Sequence, residues 1–417
     1  MAERDVVIVG GGPAGATTAL ALAAVDPALA ARALLLEKAR FPREKPCAGA
    51  LGARGDALLA ELGVTVDVPG APIDGMTFRG ADSCATAAPG KIGRVVRRIE
   101  FDHALVRQAA ARGVEVRDGV AVNGVRPQPG GGAVVETSAG PVRASVVVGC
   151  DGVGSVVRKA LGVGPGAWRA QVVEVDTPAV PGDLDRGLLH FDASDRGLPG
   201  YAWDFPTIVD GEPLVCRGVY RLRTEGERGA GSGPGKVPDV GELLAARLRA
   251  QGIDPARCKN KRYAERGFEP ATRVARGPLM LAGEAAGIDA VTGEGIAQAI
   301  EYGVLAGRFL AEHLRGANRD GGGAMGGAGD GGVDGWQDVL ARSRLAHDLR
   351  IRAFFLRFFY GASRPDAERF LGDSPDAVYV GCQHFAGRAY DWSRLPGVLF
   401  SGGARLAAIA IGDWLRR

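Results

Sequence analysis

Gly10, Gly12 and Gly15 fall in the spacing G-x-G-x-x-G. A carboxylate, Glu37, follows about 20 residues further on, where a ribose-hydroxyl acceptor is expected. Together these residues can hold a dinucleotide. The first glycine permits a tight turn, the second lets a pyrophosphate approach the backbone, and the third lets a helix pack on a strand. Pro13 and Ala14 stand at the start of that helix, whose free N–H groups and positive dipole end suit an anion.

The other reactive side chains are dispersed. The six cysteines (Cys47, Cys84, Cys150, Cys216, Cys258 and Cys382) form no C-x-x-C, which argues against a zinc ribbon, a thioredoxin-type pair or a cysteine-held iron–sulfur cluster. The five histidines (His103, His190, His313, His347 and His384) are scattered, and His103 and His313 fall in helical patterns as structural residues. No metal site is expected.

Positioning the glycines requires a buried parallel strand over residues 6–9 and a second over 33–36 that ends at Glu37. Helical spacing over 104–112 and strands at 114–116, 144–150 and 277–283 can complete the same sheet, followed by a helix over 296–313. The stretches 71–96 and 166–268 are richer in alternating patterns and read as an inserted, mostly antiparallel sheet. The expected division is therefore a discontinuous nucleotide-binding domain (1–70, 97–165 and 270–316) and a substrate domain (71–96 and 166–269). A glycine-rich linker (317–335) and a helical C-terminal region (336–417) follow. Residues 336–360 are expected to be helical and carry Arg342, Arg344, Arg350, Arg352 and Arg357, and residues 404–415 form a short amphipathic helix. Both are expected to pack on the body, with a membrane-surface contact as the alternative.

With 417 residues, 46% hydrophobic and 24% charged, the balance is that of a globular protein of two or three subdomains. A net charge of +3 spread along the chain gives no case for nucleic-acid binding. The dinucleotide motif begins almost at Met1 and no run of 18 apolar residues exists, so neither a signal peptide nor a membrane span is expected. A reducing cytoplasm is the expected compartment, with peripheral membrane contact as an addition.

Three further motifs choose the dinucleotide. The first, Asp151-Gly152-Val153-Gly154-Ser155-Val156-Val157-Arg158, closes a strand with an acid and opens a helix. The second is Gly283-Glu284-Ala285-Ala286-Gly287, followed by Thr292-Gly293-Glu294-Gly295-Ile296. Its carboxylate can accept from ribitol hydroxyls, and its glycines bring N–H groups to the pyrimidine side of an isoalloxazine. The third is Arg98-Ile99-Glu100-Phe101-Asp102.

In order and spacing these motifs resemble the flavoprotein monooxygenase superfamily, with the fold of p-hydroxybenzoate hydroxylase, over residues 1 to about 314. The stretch Phe41-Pro42-Arg43-Glu44-Lys45-Pro46-Cys47-Ala48-Gly49 is similar to the F-P-R-x-K-P-C-G-G of geranylgeranyl reductases. Tyr201-Ala202-Trp203-Asp204-Phe205-Pro206 is similar to their Y-x-W-x-F-P. The resemblance implies an α/β fold: a Rossmann-type FAD-binding domain, an inserted antiparallel substrate sheet and a helical C-terminal tail.

It also implies site residues. Ala14 and Gly15 would lie at the pyrophosphate, and Glu37, Lys38, Arg98 and Val122 at the adenosine half. Cys47, Ala48 and Gly49 would border the flavin, with Cys47 shaping reactivity, and Asp151, Gly152, Glu284, Gly293, Gly295 and Ile296 would complete the cofactor site. Tyr201, Trp203, Phe205 and Pro206 would line an isoprenoid tunnel; strand alternation places Tyr201, Trp203 and Phe205 on one face as an apolar wall. Three departures stand out. Glu284 replaces the family's Asp, Ala48 its second glycine, and Cys216-Arg217-Gly218 its G-x-G.

The implied activity is FAD-dependent reduction of carbon–carbon double bonds in an apolar isoprenoid or polyene. Electrons would come from NADPH or from a reduced carrier protein. A flavin monooxygenase hydroxylating or epoxidising an apolar metabolite shares every FAD motif and is the alternative. A halogenase, which carries W-x-W-x-I-P where Tyr201 to Pro206 stand, and a non-catalytic flavoprotein rank lower.

Overall fold

A computed structural model describes residues 2–223, 239–319, 332–361, 363–389 and 391–399. The expected helix at 404–415 and most of the glycine-dense segment lie outside the described residues.

The strand Ala2–Val9 is apolar and fully buried from Val6 onward. It pairs in parallel with Ala33–Leu36 on one side and Val142–Gly149 on the other. Glu115–Arg117 extends the sheet beyond Ala33–Leu36, and Leu279–Leu281 extends it beyond Val142–Gly149. The short strand Ala275–Arg276 pairs antiparallel with Leu279–Leu281 at that edge, and an antiparallel ribbon, Val122–Pro127 and Ala133–Thr137, completes eight strands. The sequence patterns did not separate that ribbon from a loop, because its outer strand is half-exposed and lacks strong alternation.

Gly10 makes the corner after the first strand, with φ +105°. A Cβ on Gly15 would stand 1.9 Å from the Gly10 carbonyl oxygen, so the helix Pro13–Val25 lies directly against the turn. The helix Ile296–Arg319 packs equally closely on that helix: a Cβ at Gly303 would meet the Ala14 carbonyl, and one at Gly307 the Thr18 carbonyl, both at 2.6 Å. This G-x-x-x-G seam, missed in the sequence, fixes the loop before Ile296 against the glycine turn.

The second sheet has seven strands in the order Lys261–Arg266, Arg169–Thr177, Glu212–Arg223, Gly200–Val209, Leu188–Asp192, Gly75–Arg79, Cys84–Ala87. All pairings are antiparallel except Leu188–Asp192 with Gly75–Arg79. A third sheet joins Ala50–Gly52, Gly93–Val96 and Gly70–Ile73.

The helix expected at 104–112 begins earlier, at Arg98, and the tail expected as one helix over 336–360 is two. Trp336–Arg342 stops where Ser343 accepts the Ala346 N–H and caps Arg344–Phe359. Two more helices follow, Arg364–Asp373 and Pro375–Ala386. Buried Arg364 ties them to the second sheet, donating to the carbonyls of Gly200 at 3.0 Å and Asp195 at 3.2 Å while paired with Glu368. No helix among the described residues is long and apolar enough to cross a membrane.

Candidate active site

A continuous cavity of about 1050 Å³ runs from the glycine turn to the C-terminal helices. That is at the upper end for small-molecule sites. Its walls include Gly10, Gly12, Pro13, Ala14, Glu37, Lys38, Arg98 and Val122 at one end. Cys47, Ala48, Gly49, Asp151, Gly152, Glu284, Gly293, Gly295 and Ile296 line the middle. Tyr201, Trp203 and Phe205 line the far end, with Phe355, Phe358, Phe370 and Phe385 from the tail opposite them.

Two residues expected in the site are not in this wall. Gly15 faces the Gly10 carbonyl and acts in helix–strand packing. Pro206 shares its strand face with Ala202 and Asp204 and so points away from Tyr201, Trp203 and Phe205.

At the glycine end the structure fits a pyrophosphate. The helix Pro13–Val25 starts at Gly12 with no side chain capping its first N–H groups. A Cβ on Gly12 would meet nothing closer than Arg98 Nη2 at 3.5 Å and Arg43 Nη2 at 3.9 Å. The space over Gly12 is therefore open and flanked by two guanidinium groups. Arg98 is held by the buried Asp102 through two hydrogen bonds of 2.6 and 2.7 Å, and Arg43 reaches the same carboxylate at 3.1 Å. Glu37 accepts from the N–H groups of Gly11 at 2.9 Å and Ala39 at 3.0 Å. Asp151 accepts from Ser155 Oγ at 2.5 Å and from the Val156 N–H at 2.6 Å, so its carboxylate caps the helix Val156–Ala160 as well as facing the cavity.

In the middle, the Cys47 N–H donates to Glu174 Oε1 at 3.0 Å, and the Tyr263 hydroxyl donates to Glu174 Oε2 at 3.1 Å. Glu174 is fully buried, and burial pushes its carboxyl up to about 7 despite the pull of Lys261. Burial likewise raises the Cys47 thiol, against the opposing effect of Arg98, so the thiol stays protonated at neutral pH. No residue pattern in the sequence marked Glu174. Its strand partner Gly218 also faces Trp203, so Glu174 lies in the same cross-strand row as Trp203, two strands away and on the same sheet face.

The loop before Ile296 is pinned from several directions. Tyr220 and Tyr360 donate to the carbonyls of Ala290 at 2.8 Å and Val291 at 2.5 Å, and Tyr201 donates to that of Thr292. Arg352, from the tail helix Arg344–Phe359, pairs with the buried Asp289 and, at 2.6 Å, with Glu294. The tail therefore contributes to the site, a role its sequence pattern alone did not specify. Among the described residues no cluster of His, Cys, Asp or Glu could hold a metal ion.

A family model described as "FAD binding domain" matches residues 3–322. A digeranylgeranylglycerophospholipid reductase of Methanopyrus kandleri is 30% identical over 332 residues, covering 75% of this chain and 81% of that one. A rifampicin monooxygenase of Streptomyces venezuelae is 30% identical over 315 residues, 69% of this chain and 60% of that longer protein. A geranylgeranyl bacteriochlorophyll reductase-like structure from Thermoplasma acidophilum superposes with a TM-score of 0.64 at 19% identity, covering 96% of each chain. This last likeness concerns the fold.

Proposed function

We propose, for a chain that belongs to the FAD-binding domain family and within it to the geranylgeranyl reductase family, that this FAD-dependent oxidoreductase reduces carbon–carbon double bonds of an apolar isoprenoid or polyene. The observation that carries the proposal is the continuity of one cavity from an open, arginine-flanked glycine turn to an aromatic wall.

In this reading Gly12, Pro13 and Ala14 hold the pyrophosphate. Glu37, Lys38, Arg98 and Val122 hold the adenosine half, and Cys47 to Gly49, Asp151, Gly152, Glu284 and the Gly293–Ile296 turn border the isoalloxazine. When reduced, bound FAD supplies a hydride equivalent. Tyr201, Trp203 and Phe205, with the phenylalanines of the tail, hold an extended apolar chain and keep water from it. Cys47, as a neutral thiol, orients the reacting bond. Ile351, Phe354 and Phe355, exposed at 42%, 44% and 43%, form an apolar rim on the helix that also lines the cavity. They suit entry of a lipid chain, from a membrane surface or a carrier. The electron donor is NADPH or a reduced carrier protein.

The test is anaerobic mixing of the chemically reduced protein with a geranylgeranyl lipid. Flavin reoxidation with a gain of two hydrogens per double bond supports the proposal. Substrate-coupled oxygen consumption with oxygen inserted into the product would replace it with the monooxygenase alternative, the activity named for the Streptomyces relative.

A further inference from the structure

The strand Lys261–Arg266 carries a cavity carboxylate to which no role has yet fallen. Glu265 lines the cavity, on the same strand face as Tyr263. Its Oε2 is sealed from solvent and has no hydrogen-bond partner among the described residues. That oxygen lies 2.7 Å from the position a Cβ on Gly293 would take, with the Tyr220 ring 3.1 Å from the same point. Glu265 therefore sits against the pinned loop, at the junction between the cofactor end and the aromatic wall.

The charges around it do not favour ionisation. Glu284, Asp289 and Glu174 face it with the same sign, and the opposing cation is Lys45, which stands over the Tyr263 ring at 5.5 Å. The phenols of Tyr201, Tyr263 and Tyr360 complete the surroundings, and they are neutral at physiological pH. Burial first, and Glu284 second, push the Glu265 carboxyl well above the usual carboxylate range. A carboxyl with one sealed, unpartnered oxygen and acidic neighbours is held as the neutral acid, a proton store on the cavity wall.

We infer that Glu265 is the acid that gives a proton to the bound substrate, an inference that rests on the alkene-reduction reading above. One alkene carbon takes a hydride, with its two electrons, from reduced flavin. The other carbon takes the Glu265 proton. The π bond is replaced by two C–H bonds, and the carboxylate left behind is reprotonated by water once product leaves. Cys47 orients the alkene, and Glu265 supplies the proton.

Two measurements on the FAD-loaded protein test this. Infrared difference spectra of wild type against Glu265→Gln at neutral pH read the protonation state without turnover. The expected result is a protonated-carboxyl band that shifts in D2O and is lost in the variant; no such difference overturns the inference. Anaerobic single-turnover kinetics then separate the half-reactions. Glu265→Gln is expected to keep FAD occupancy, melting temperature and flavin reduction rate while slowing the alkene step by roughly 100-fold or more, with partial recovery in Glu265→Asp. An alkene step within about twofold of wild type overturns the inference. A wild-type protein that shows the band but reduces no alkene would instead refute the reading of the reaction and leave Glu265 as the cavity's proton-bearing acid.

Discussion

The indole of Trp203 occupies the space over Gly218, its direct cross-strand partner: a Cβ on Gly218 would meet Trp203 Cζ2 at 2.0 Å and Cη2 at 2.2 Å. The side chain missing from one strand is what lets the largest aromatic ring of the next lie down along the sheet. Trp203 is 2% exposed and packs between Tyr201 and Phe205, with ring centroids 6.1 and 6.0 Å away. The aromatic wall of the cavity therefore depends on a glycine that carries no chemistry.

Gly218→Ala is expected to displace the indole into the cavity. The cost should be about 1–3 kcal/mol of stability from overpacking. FAD binding should survive while turnover of long substrates falls sharply. Trp203→Ala should cost about 3–5 kcal/mol by leaving a void. Urea denaturation and turnover across a series of chain lengths check both, and unchanged long-chain turnover in either variant contradicts the wall's role.

Two glycines of the same motif should fail in opposite ways. Gly12→Val places its side chain in open space, so the protein should fold and melt like wild type stripped of FAD, yet purify without the cofactor. Gly15→Ala meets a backbone oxygen at 1.9 Å and should lower stability itself. Absorbance of bound flavin alongside a thermal melt separates the two; full FAD occupancy in Gly12→Val would falsify the pyrophosphate assignment.

Cys47 should react slowly with iodoacetamide at neutral pH, because burial keeps its thiol protonated. Cys47→Ser and Cys47→Ala should both bind FAD normally. The alanine variant should lose more of the alkene-reducing step while flavin reduction by the donor changes little. Equal substrate-step rates in wild type and Cys47→Ala reduce the residue to packing.

Glu174 should give the protein a pH-dependent stability. Its folded pKa of about 7 lies above the ordinary 4.5, so the folded state holds more protons than the unfolded state between those values. Its contribution is full below about pH 4.5, falls as pH rises towards 7, and is then level. In Glu174→Gln this component disappears. The gap between wild type and variant should change by on the order of 2–3 kcal/mol between about pH 5 and pH 8 in denaturant titrations. A constant gap across that range contradicts it.

Arg352→Ala would leave Asp289 and Glu294 buried without their cation. The expected loss is about 3–5 kcal/mol if the carboxylates stay ionised, concentrated in the loop before Ile296. Faster FAD release, with hydrogen exchange increased in that loop, checks this. An unaltered FAD off-rate would show that the tail does not support the cofactor end.

Much of the site was legible because short-range physics sets it. The turn at Gly10, the packing at Gly15 and the strand ending at Glu37 follow from local backbone and hydrophobic pattern. Alternation along Gly200–Val209 placed Tyr201, Trp203 and Phe205 on one face, and the same alternation removes Pro206 from the wall, although the motif contains it. Cys47 is brought to the cavity by the loop after that second strand.

What the sequence could not decide is who meets whom across long separations. Glu174 lies 127 residues from Cys47, and Tyr263 lies 89 residues from Glu174, so only strand pairing brings the three together. Arg352 reaches Asp289 because two further helices, held by Arg364, dock the tail on the second sheet. Glu265 reads in the sequence as an ordinary charged residue, and the structure puts it on an edge strand of the second sheet. Its proton-bearing state arises from burial against Gly293 and the carboxylates of other elements, and a one-dimensional pattern carries no trace of that dielectric environment.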